Sequence, residues 1–262
     1  QMADLLHATK DATVRGMAPT LVALILAAGK GTRMRSELPK VLHRLAGRPL
    51  LHHVLDAASH AGAGRAVVVI GYQSGQVRES VERAGYDRAD FAVQAEQRGT
   101  GHAVQCALPA VRSDEKIALI LSGDVPGIRG DQLKALVELL NEESSLALMT
   151  FEAEDPTGYG RIVRGAGGEV TAIREHKDAN PAERHIRECN AGIYAVRVGL
   201  LTTALPTLSD RNAAGEVYLT DLVEVAASSG AVRALRVAES EVAGVNTPEQ
   251  LAAMERELSA RG

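Results

Sequence analysis

Cysteine is nearly missing from this chain, with Cys106 and Cys189 the only two in 262 residues. Two thiols so far apart in sequence suggest neither a zinc motif nor a disulfide framework, so a reducing compartment is expected and the cytoplasm is the default. Long apolar runs are missing too. The longest, Leu21 to Ala28 and Ile117 to Leu121, fall far short of the roughly 20 residues that a membrane-crossing helix needs, and no membrane partner is expected. Positive charge is not in excess either. A formal net charge of −4 argues against a general nucleic-acid binder, which needs a basic face for the phosphate backbone. There is no internal repeat, no low-complexity tract and no Gly-x-Ser-x-Gly elbow. Among the histidines, the His52-His53 pair lies on a helical stretch, and His43, His102 and His176 lack ligand-like spacing. All five are read as structural or peripheral.

What is present is a chain with 45% apolar residues, enough to bury the core of one large α/β domain or of one domain with a lobe. With the overall charge negative, any phosphate site must be a local concentration of cations. One occurs directly after the apolar run Leu21–Leu26. Ala27, Ala28, Gly29 and Gly31 carry little or no side chain, so their backbone N–H groups can approach a triphosphate. Lys30, Arg33, Arg35 and Lys40 surround them against the single acid Glu37. The dinucleotide fingerprint fails here because its third glycine is Met34. The Walker pattern fails because Gly31, not serine or threonine, follows Lys30. Taken alone, such a loop is equally well a plain turn.

Continuous apolar runs predict buried parallel strands at Leu21–Leu26, Ala66–Ile70, Ile117–Leu121 and Leu146–Phe151. Between them, Leu50, Leu51, Val54, Leu55 and Ala58 share one helical face, Val77, Val81 and Ala84 a second, and Leu133, Leu136, Val137 and Leu140 a third. This alternation implies right-handed βαβ units on a mostly parallel central sheet, with ligands at the carboxyl ends of its strands. The Ala27–Arg33 loop and Ser122-Gly123-Asp124 both lie at such ends. After Asp155 the rhythm changes. Arg161–Arg164 and Glu169–Arg174 read as a hairpin and Gly192–Val196 as a short strand, which together predict a smaller β-rich lobe over about residues 155–215. Tyr218–Ala227 returns to helical spacing and Val232–Val237 to strand. Thr247-Pro248 opens a last helix, with Leu251, Met254 and Leu258 expected inward.

Further motifs follow in order: Leu38-Pro-Lys-Val-Leu-His43, Gly47-Arg-Pro49, Gln94-Ala-Glu-Gln97, Gly99-Thr-Gly-His102, Gly123-Asp-Val-Pro126, Pro156-Thr-Gly-Tyr-Gly-Arg-Ile162, Glu175-His-Lys-Asp178, Asn190-Ala-Gly-Ile193, Gly215-Glu-Val-Tyr-Leu-Thr-Asp221 and Gly244-Val-Asn246. Through them the chain, from about Leu24 to Leu258, resembles the N-terminal uridylyltransferase domain of the bacterial bifunctional N-acetylglucosamine-1-phosphate uridyltransferases. The resemblance implies a Rossmann-like nucleotide-diphospho-sugar transferase fold. It also implies synthesis of UDP-N-acetylglucosamine from UTP and N-acetyl-α-D-glucosamine 1-phosphate, a precursor reaction for peptidoglycan and lipopolysaccharide. Arg33, Lys40 and Asp124 then match catalytic positions, and Asp124 with Asn246 would hold Mg²⁺. Substrate positions are Leu26, Ala27, Ala28, Gly29, Lys40, Ser122, Gly123, Asp124 and Asn246. Gln94, Gly99 and Thr100 match contacts to uracil and the nearby nucleotide, with Gln97 as a neighbour, and Gly160, Glu175 and Asn190 match contacts to the sugar.

Each of these residues has a plainer reading. Asp124 is equally a cap, Asn246 a helix N-cap, Gln94 and Gln97 surface glutamines, Gly160 a turn glycine, Glu175 a solvated charge and Asn190 a strand-end amide. An amide carries both donor and acceptor, as reading the imide edge of uracil requires. The chain departs from the family pattern at Gly127, Ala191 and Thr247-Pro248. A nucleotidylyltransferase of this fold with another sugar phosphate or nucleotide is therefore an alternative, and a non-catalytic nucleotide-sugar binding module a more distant one. The expected organisation is an extension or expression remnant at 1–18, with Met17 as a start, a nucleotidyltransferase domain at 19–246 and a C-terminal helix at 247–262. The hexapeptide-repeat acetyltransferase half of the family's two-part enzymes has no counterpart in the sequence. Its acetyl-coenzyme A chemistry and its trimer are not carried over, and the oligomeric state is left open.

Overall fold

The computed structural model describes residues 20–261, so the reading of residues 1–18 lies outside it. Its centre is a sheet built from β1 (Thr20–Leu26), β2 (Arg65–Ile70), β3 (Ala89–Val93), β4 (Glu115–Ser122), β5 (Leu146–Glu152), β6 (Arg161–Arg164), β7 (Val170–Arg174), β8 (Glu188–Arg197) and β9 (Val232–Arg236). The main strands run in the spatial order β9-β5-β8-β4-β1-β2-β3, with the β6–β7 hairpin hung on β8. Every strand of this path points the same way except β8, which pairs antiparallel with both β4 and β5. The fold is thus α/β and Rossmann-like, with one reversed strand threaded between β4 and β5.

Alternation along β1 divides the core. Ala23 and Ile25 point to one face, where α1 (Leu50–His60), α2 (Ser74–Arg83) and α4 (Gly130–Glu138) pack. Val22 and Leu24 point to the other, covered by α3 (Thr100–Ala107), α5 (Val198–Ala204) and α6 (Asp221–Ser229). Val22 through Ile25 are all 0% exposed, as a strand buried on both faces must be. From β1 the chain builds outward through β2 and β3, then returns to place β4 on the other side. The connections therefore part above the carboxyl ends of β1 and β4, where open α/β sheets bind ligands.

The predicted strands, the hairpin and the last helix are present, and the differences have local causes. The strand expected at Gly192–Val196 is longer. Its first part, through Cys189 and Asn190, pairs with the end of β5 and with β6. A register shift between Asn190 and Tyr194, with Gly192 at φ +71°, follows, after which the strand continues along β5 and adds pairing with β4. Strand β3 gave no apolar run because it is an edge strand carrying Asp90, and its residues alternate only weakly in burial. Helices α3 and α5 were not predicted, being short and interrupted by Gly101 and Gly199. Ala84, expected on a buried face, follows the last residue of α2 and is exposed.

Beyond a four-residue helix, α7 (Glu239–Val242), the chain ends in α8 (Pro248–Arg261). Leu251 and Met254 of α8 pack against Leu45, Leu50 and Val245, but Leu258 is 42% exposed, because that small cluster covers only the first turns.

At the edge opposite the ligand end, Arg65 ties three strands together. It grips the Glu115 carboxylate from Nε at 3.0 Å and Nη2 at 2.8 Å, reaches Asp90 at 2.5 Å and donates to the Ala110 carbonyl. Arg65 and Glu115 are 7% and 6% exposed. Removing one member of a buried pair strands the other charge. Arg65→Ala is expected to lower the unfolding free energy by about 3 kcal/mol in urea titrations, while the apolar double variant Arg65→Met with Glu115→Leu recovers most of that loss. Equal stability of Arg65→Ala and wild type would show that the pair contributes nothing.

Candidate active site

The loop after β1 is pinned on both sides before it turns outward. Ala27 N–H donates to Val69 O at 2.9 Å, and Tyr72 N–H to Ala28 O at 3.1 Å. A Cβ added to Gly29 would meet nothing within 4 Å, so packing does not demand a glycine there; its bareness leaves room above the loop. Gly31 is different. Its φ is +63°, and a Cβ on it would lie 2.5 Å from Lys40 Cβ, so only glycine lets the loop fold over Lys40. Lys40 in turn opens a short 3₁₀ turn anchored by buried Val41 and Leu42.

These elements form one side of a cleft of about 290 Å³. Leu26, Ala27, Ala28 and Gly29 line it from the loop, and Lys40, Ser122 and Asp124 from the neighbouring ends. Gln94, Gln97, Gly99 and Thr100 form the opposite wall. Gly123 lies beneath the lining, its N–H donating to Leu26 O at 2.9 Å. A Cβ on Gly123 would sit 3.2 Å from both Leu26 O and Val41 Cγ1. Val41, Ala103 and Glu216 also line the cleft and were not singled out from sequence. Glu216 sits inside the Gly215–Asp221 motif, but no pattern of residue types distinguishes it from a surface acid.

At the edge of the cleft three distant segments meet, carrying Arg33 and Lys40, Asp124, and Asn246. The Lys40 ammonium is ion-paired with the Asp124 carboxylate and donates to Asn246 Oδ1 at 3.0 Å. Arg33 donates to the same Asn246 oxygen at 2.9 Å. Asn246 is held in turn by the start of α8. Its N–H and that of Thr247 donate to Gln250 Oε1 at 2.8 and 3.1 Å, while Gln250 N–H donates to Thr247 Oγ1. Thr247-Pro248, a departure from the expected pattern, thus forms a capping box. Val245 N–H donates to Asp124 O at 2.9 Å, fixing the two backbones side by side.

Among the described residues no three His, Cys, Asp or Glu side chains converge as a metal site. What converges on Lys40 Nζ is one carboxylate and one amide oxygen, and the backbone of Gly244 runs beside both side chains, where a Cβ would stand in van der Waals contact at 3.7 Å from Asp124 Oδ2 and 3.4 Å from Asn246 Nδ2. Hard oxygen donors, few in number and backed by a bare backbone, fit an ion that completes its shell with water and phosphate, as Mg²⁺ does.

On the opposite wall the Gln94 side chain is only 4% exposed. Its amide Nε2 donates to Gly99 O at 3.0 Å and lies 3.2 Å from His102 Nδ1. Gln97 Nε2 donates to Ala28 O at 3.4 Å, bridging the walls. Gly99 adopts φ +104°, and a Cβ there would strike Val217 O at 2.5 Å. Thr100 Oγ1 accepts from Leu219 N–H at 3.2 Å, so the wall is braced by the segment that carries Glu216.

Gly160, Glu175 and Asn190 form a second cluster that does not line this cleft. A Cβ on Gly160 would stand 3.4 Å from Glu175 Oε1 and 3.6 Å from Asn190 Cβ. Asn190 N–H donates to Gly160 O at 2.9 Å, and its side chain donates to Tyr194 OH at 2.7 Å. The cluster adjoins the first through Gly192, where a Cβ would lie 3.8 Å from Ser122 Oγ. Burial, reinforced by Asp221, Asp178 and Glu216, holds the Glu175 carboxyl above its ordinary range, opposed by the hydrogen bond from Thr220 at 3.0 Å. Sequence reasoning did not single out Thr220.

A family model described as the MobA-like NTP transferase domain matches residues 23–193. Among curated relatives, the bifunctional protein GlmU of Sorangium cellulosum is 46% identical over 247 residues, covering 92% of this chain and 52% of that protein. The bifunctional protein GlmU of Paracidovorax citrulli is 52% identical over 240 residues, covering 90% of this chain and 50% of its own. That of Chromohalobacter salexigens is 53% identical over 239 residues, covering 90% and 51%. The chain spans about half the length of the curated relatives it matches. No helix among the described residues is long and apolar enough to cross a membrane.

The crowded Glu175 carboxyl makes stability depend on pH. A carboxyl whose folded pKa is raised stabilises the fold fully below its unfolded pKa, and that contribution is lost as pH rises through the folded value. Glu175→Gln is therefore expected to flatten this part of the profile and to raise the melting temperature near neutral pH relative to wild type. Identical slopes in the two proteins would contradict the crowding.

Proposed function

The chain belongs to the MobA-like NTP transferase domain family and is a nucleotidyltransferase, and from that premise we propose that it transfers uridylyl from UTP to N-acetyl-α-D-glucosamine 1-phosphate. The observation that carries this reading is the meeting of Arg33, Lys40, Asp124 and Asn246 beside a cleft floored by a bare glycine loop. The relatives named GlmU and the motif order support the uridine nucleotide and the amino sugar. The cleft between the Leu26–Gly29 loop and Gln94 takes the nucleoside, and the Gly160, Glu175 and Asn190 cluster takes the sugar.

In this mechanism the phosphate oxygen of the sugar phosphate attacks the α-phosphorus. A new P–O bond forms as the bond to the β-phosphate bridging oxygen breaks, and the electron pair leaves with pyrophosphate. The nucleophile is already an anion, so no general base is required. The work left to the chain is alignment and neutralisation of charge. Asp124 and Asn246 engage two of the three Lys40 N–H donors; with those oxygens given over to a metal ion in place of these contacts, the ammonium held beside them is left for the phosphoryl oxygens. Arg33, fixed through Asn246, brings a second cation to the departing phosphates. Asp124 and Asn246 would hold Mg²⁺, which supplies Lewis-acid neutralisation of the triphosphate.

Pyrophosphate release across the four ribonucleoside triphosphates and several sugar 1-phosphates, with and without Mg²⁺, tests the proposal. The expected result is activity that needs Mg²⁺ and favours UTP with N-acetylglucosamine 1-phosphate. A preference for another pair would reassign the substrates within the family, and no release with any pair would remove the catalytic reading. Lys40→Ala and Asp124→Ala are each expected to keep the wild-type circular dichroism while turnover falls by ~10²–10³. Wild-type turnover in either variant would refute the assigned roles.

A further inference from the structure

Gln94 faces the cleft with an amide whose orientation is chemically determined. Its Nε2 sits 3.0 Å from the Gly99 carbonyl, an atom that can only accept; turning the amide over would set two oxygens against each other. The same Nε2 lies 3.2 Å from His102 Nδ1. An amide nitrogen donates, so Nδ1 is the accepting nitrogen and the neutral ring carries its proton on Nε2, which lies 3.7 Å from Cys106 Sγ. Both amide N–H groups of Gln94 are thereby directed at protein acceptors. The carbonyl oxygen Oε1 takes part in neither contact and is the polar atom left for whatever enters the cleft.

We propose that His102 is a positioning residue for base selection: by accepting from Gln94 it locks the carboxamide so that the cleft meets the base with a hydrogen-bond acceptor. A pyrimidine presenting a ring N–H at that point, as uracil does, is accepted, and one presenting a lone pair there, as cytosine does, is repelled. The inference rests on the uridine nucleotide assigned above and adds to it a residue and a cause. His102 is half-buried on α3, the helix that also contributes Thr100 and Ala103 to the wall. Without the imidazole acceptor the amide keeps only the Gly99 carbonyl to orient it, and its preference for presenting Oε1 to the base is weakened.

The test is the ratio of kcat/KM for UTP over CTP in pyrophosphate release with N-acetylglucosamine 1-phosphate and Mg²⁺. It is measured for wild type, His102→Leu, His102→Ala and His102→Asn. The leucine and alanine variants, which lack an acceptor, are expected to lose on the order of tenfold in the ratio, mostly through a higher KM for UTP and with kcat little changed. Alanine makes the comparison free of overpacking. Asparagine, whose Oδ1 can stand where Nδ1 stood, is expected to keep the wild-type ratio. Unchanged ratios in both acceptor-free variants, or a loss in asparagine equal to that in leucine, would overturn the role of His102. A wild-type enzyme that does not favour UTP would instead overturn the nucleotide assignment on which the inference rests.

Discussion

The structure depends on one contact made by three parts of the chain that are far apart in sequence: the Lys40 ammonium held between the Asp124 carboxylate and the Asn246 amide, with Arg33, from the same loop region as Lys40, on the same amide. Two cations in close proximity repel, and an acid near the floor of a cleft is costly to desolvate. Placing them around shared oxygens resolves both difficulties. The rest of the fold serves this placement. β1 and β4 end side by side, which brings the glycine loop next to Ser122 and Asp124. The capping box at Thr247 fixes Asn246, and the Gly31 backbone lets the loop close over Lys40.

A cluster of this kind is suited to a substrate dense in negative charge. The chain as a whole is acidic, so the attraction is local. Under the proposed function the two polar clusters divide the recognition. One wall of the cleft presents amides oriented by fixed carbonyls, and the neighbouring cluster presents a crowded carboxyl and an amide anchored on Tyr194. The reversed strand β8 links them, because before its bulge between Asn190 and Tyr194 it pairs with β5 and β6, and after it with β5 and β4.

Much of the architecture was legible in the sequence for a physical reason. Strands buried on both faces are built mostly of apolar residues, and the runs at Leu21, Ala66 and Ile117 are uninterrupted, while that at Leu146 is broken only by buried Thr150. The edge strand at Ala89 and the short helix at Thr100 escaped because the first is half-solvated and the second is opened by glycines whose purpose is contact with Val217. Site residues in recognisable motif order, such as Gln94, Asp124 and Asn246, stood out only through that order. Glu216, Thr220 and the contacts of His102 did not, because each depends on which segment lies opposite, and that is decided by the tertiary packing of α3 and α6.

The most direct measurement is a crystal structure of this chain soaked with UTP and Mg²⁺. The account predicts the triphosphate lying along Ala27 to Gly29 with Lys40 and Arg33 in hydrogen-bonding reach of its oxygens, the metal on Asp124 and Asn246, and the base against Gln94. A nucleotide bound elsewhere, or phosphates pointing away from Lys40 and Arg33, would contradict it.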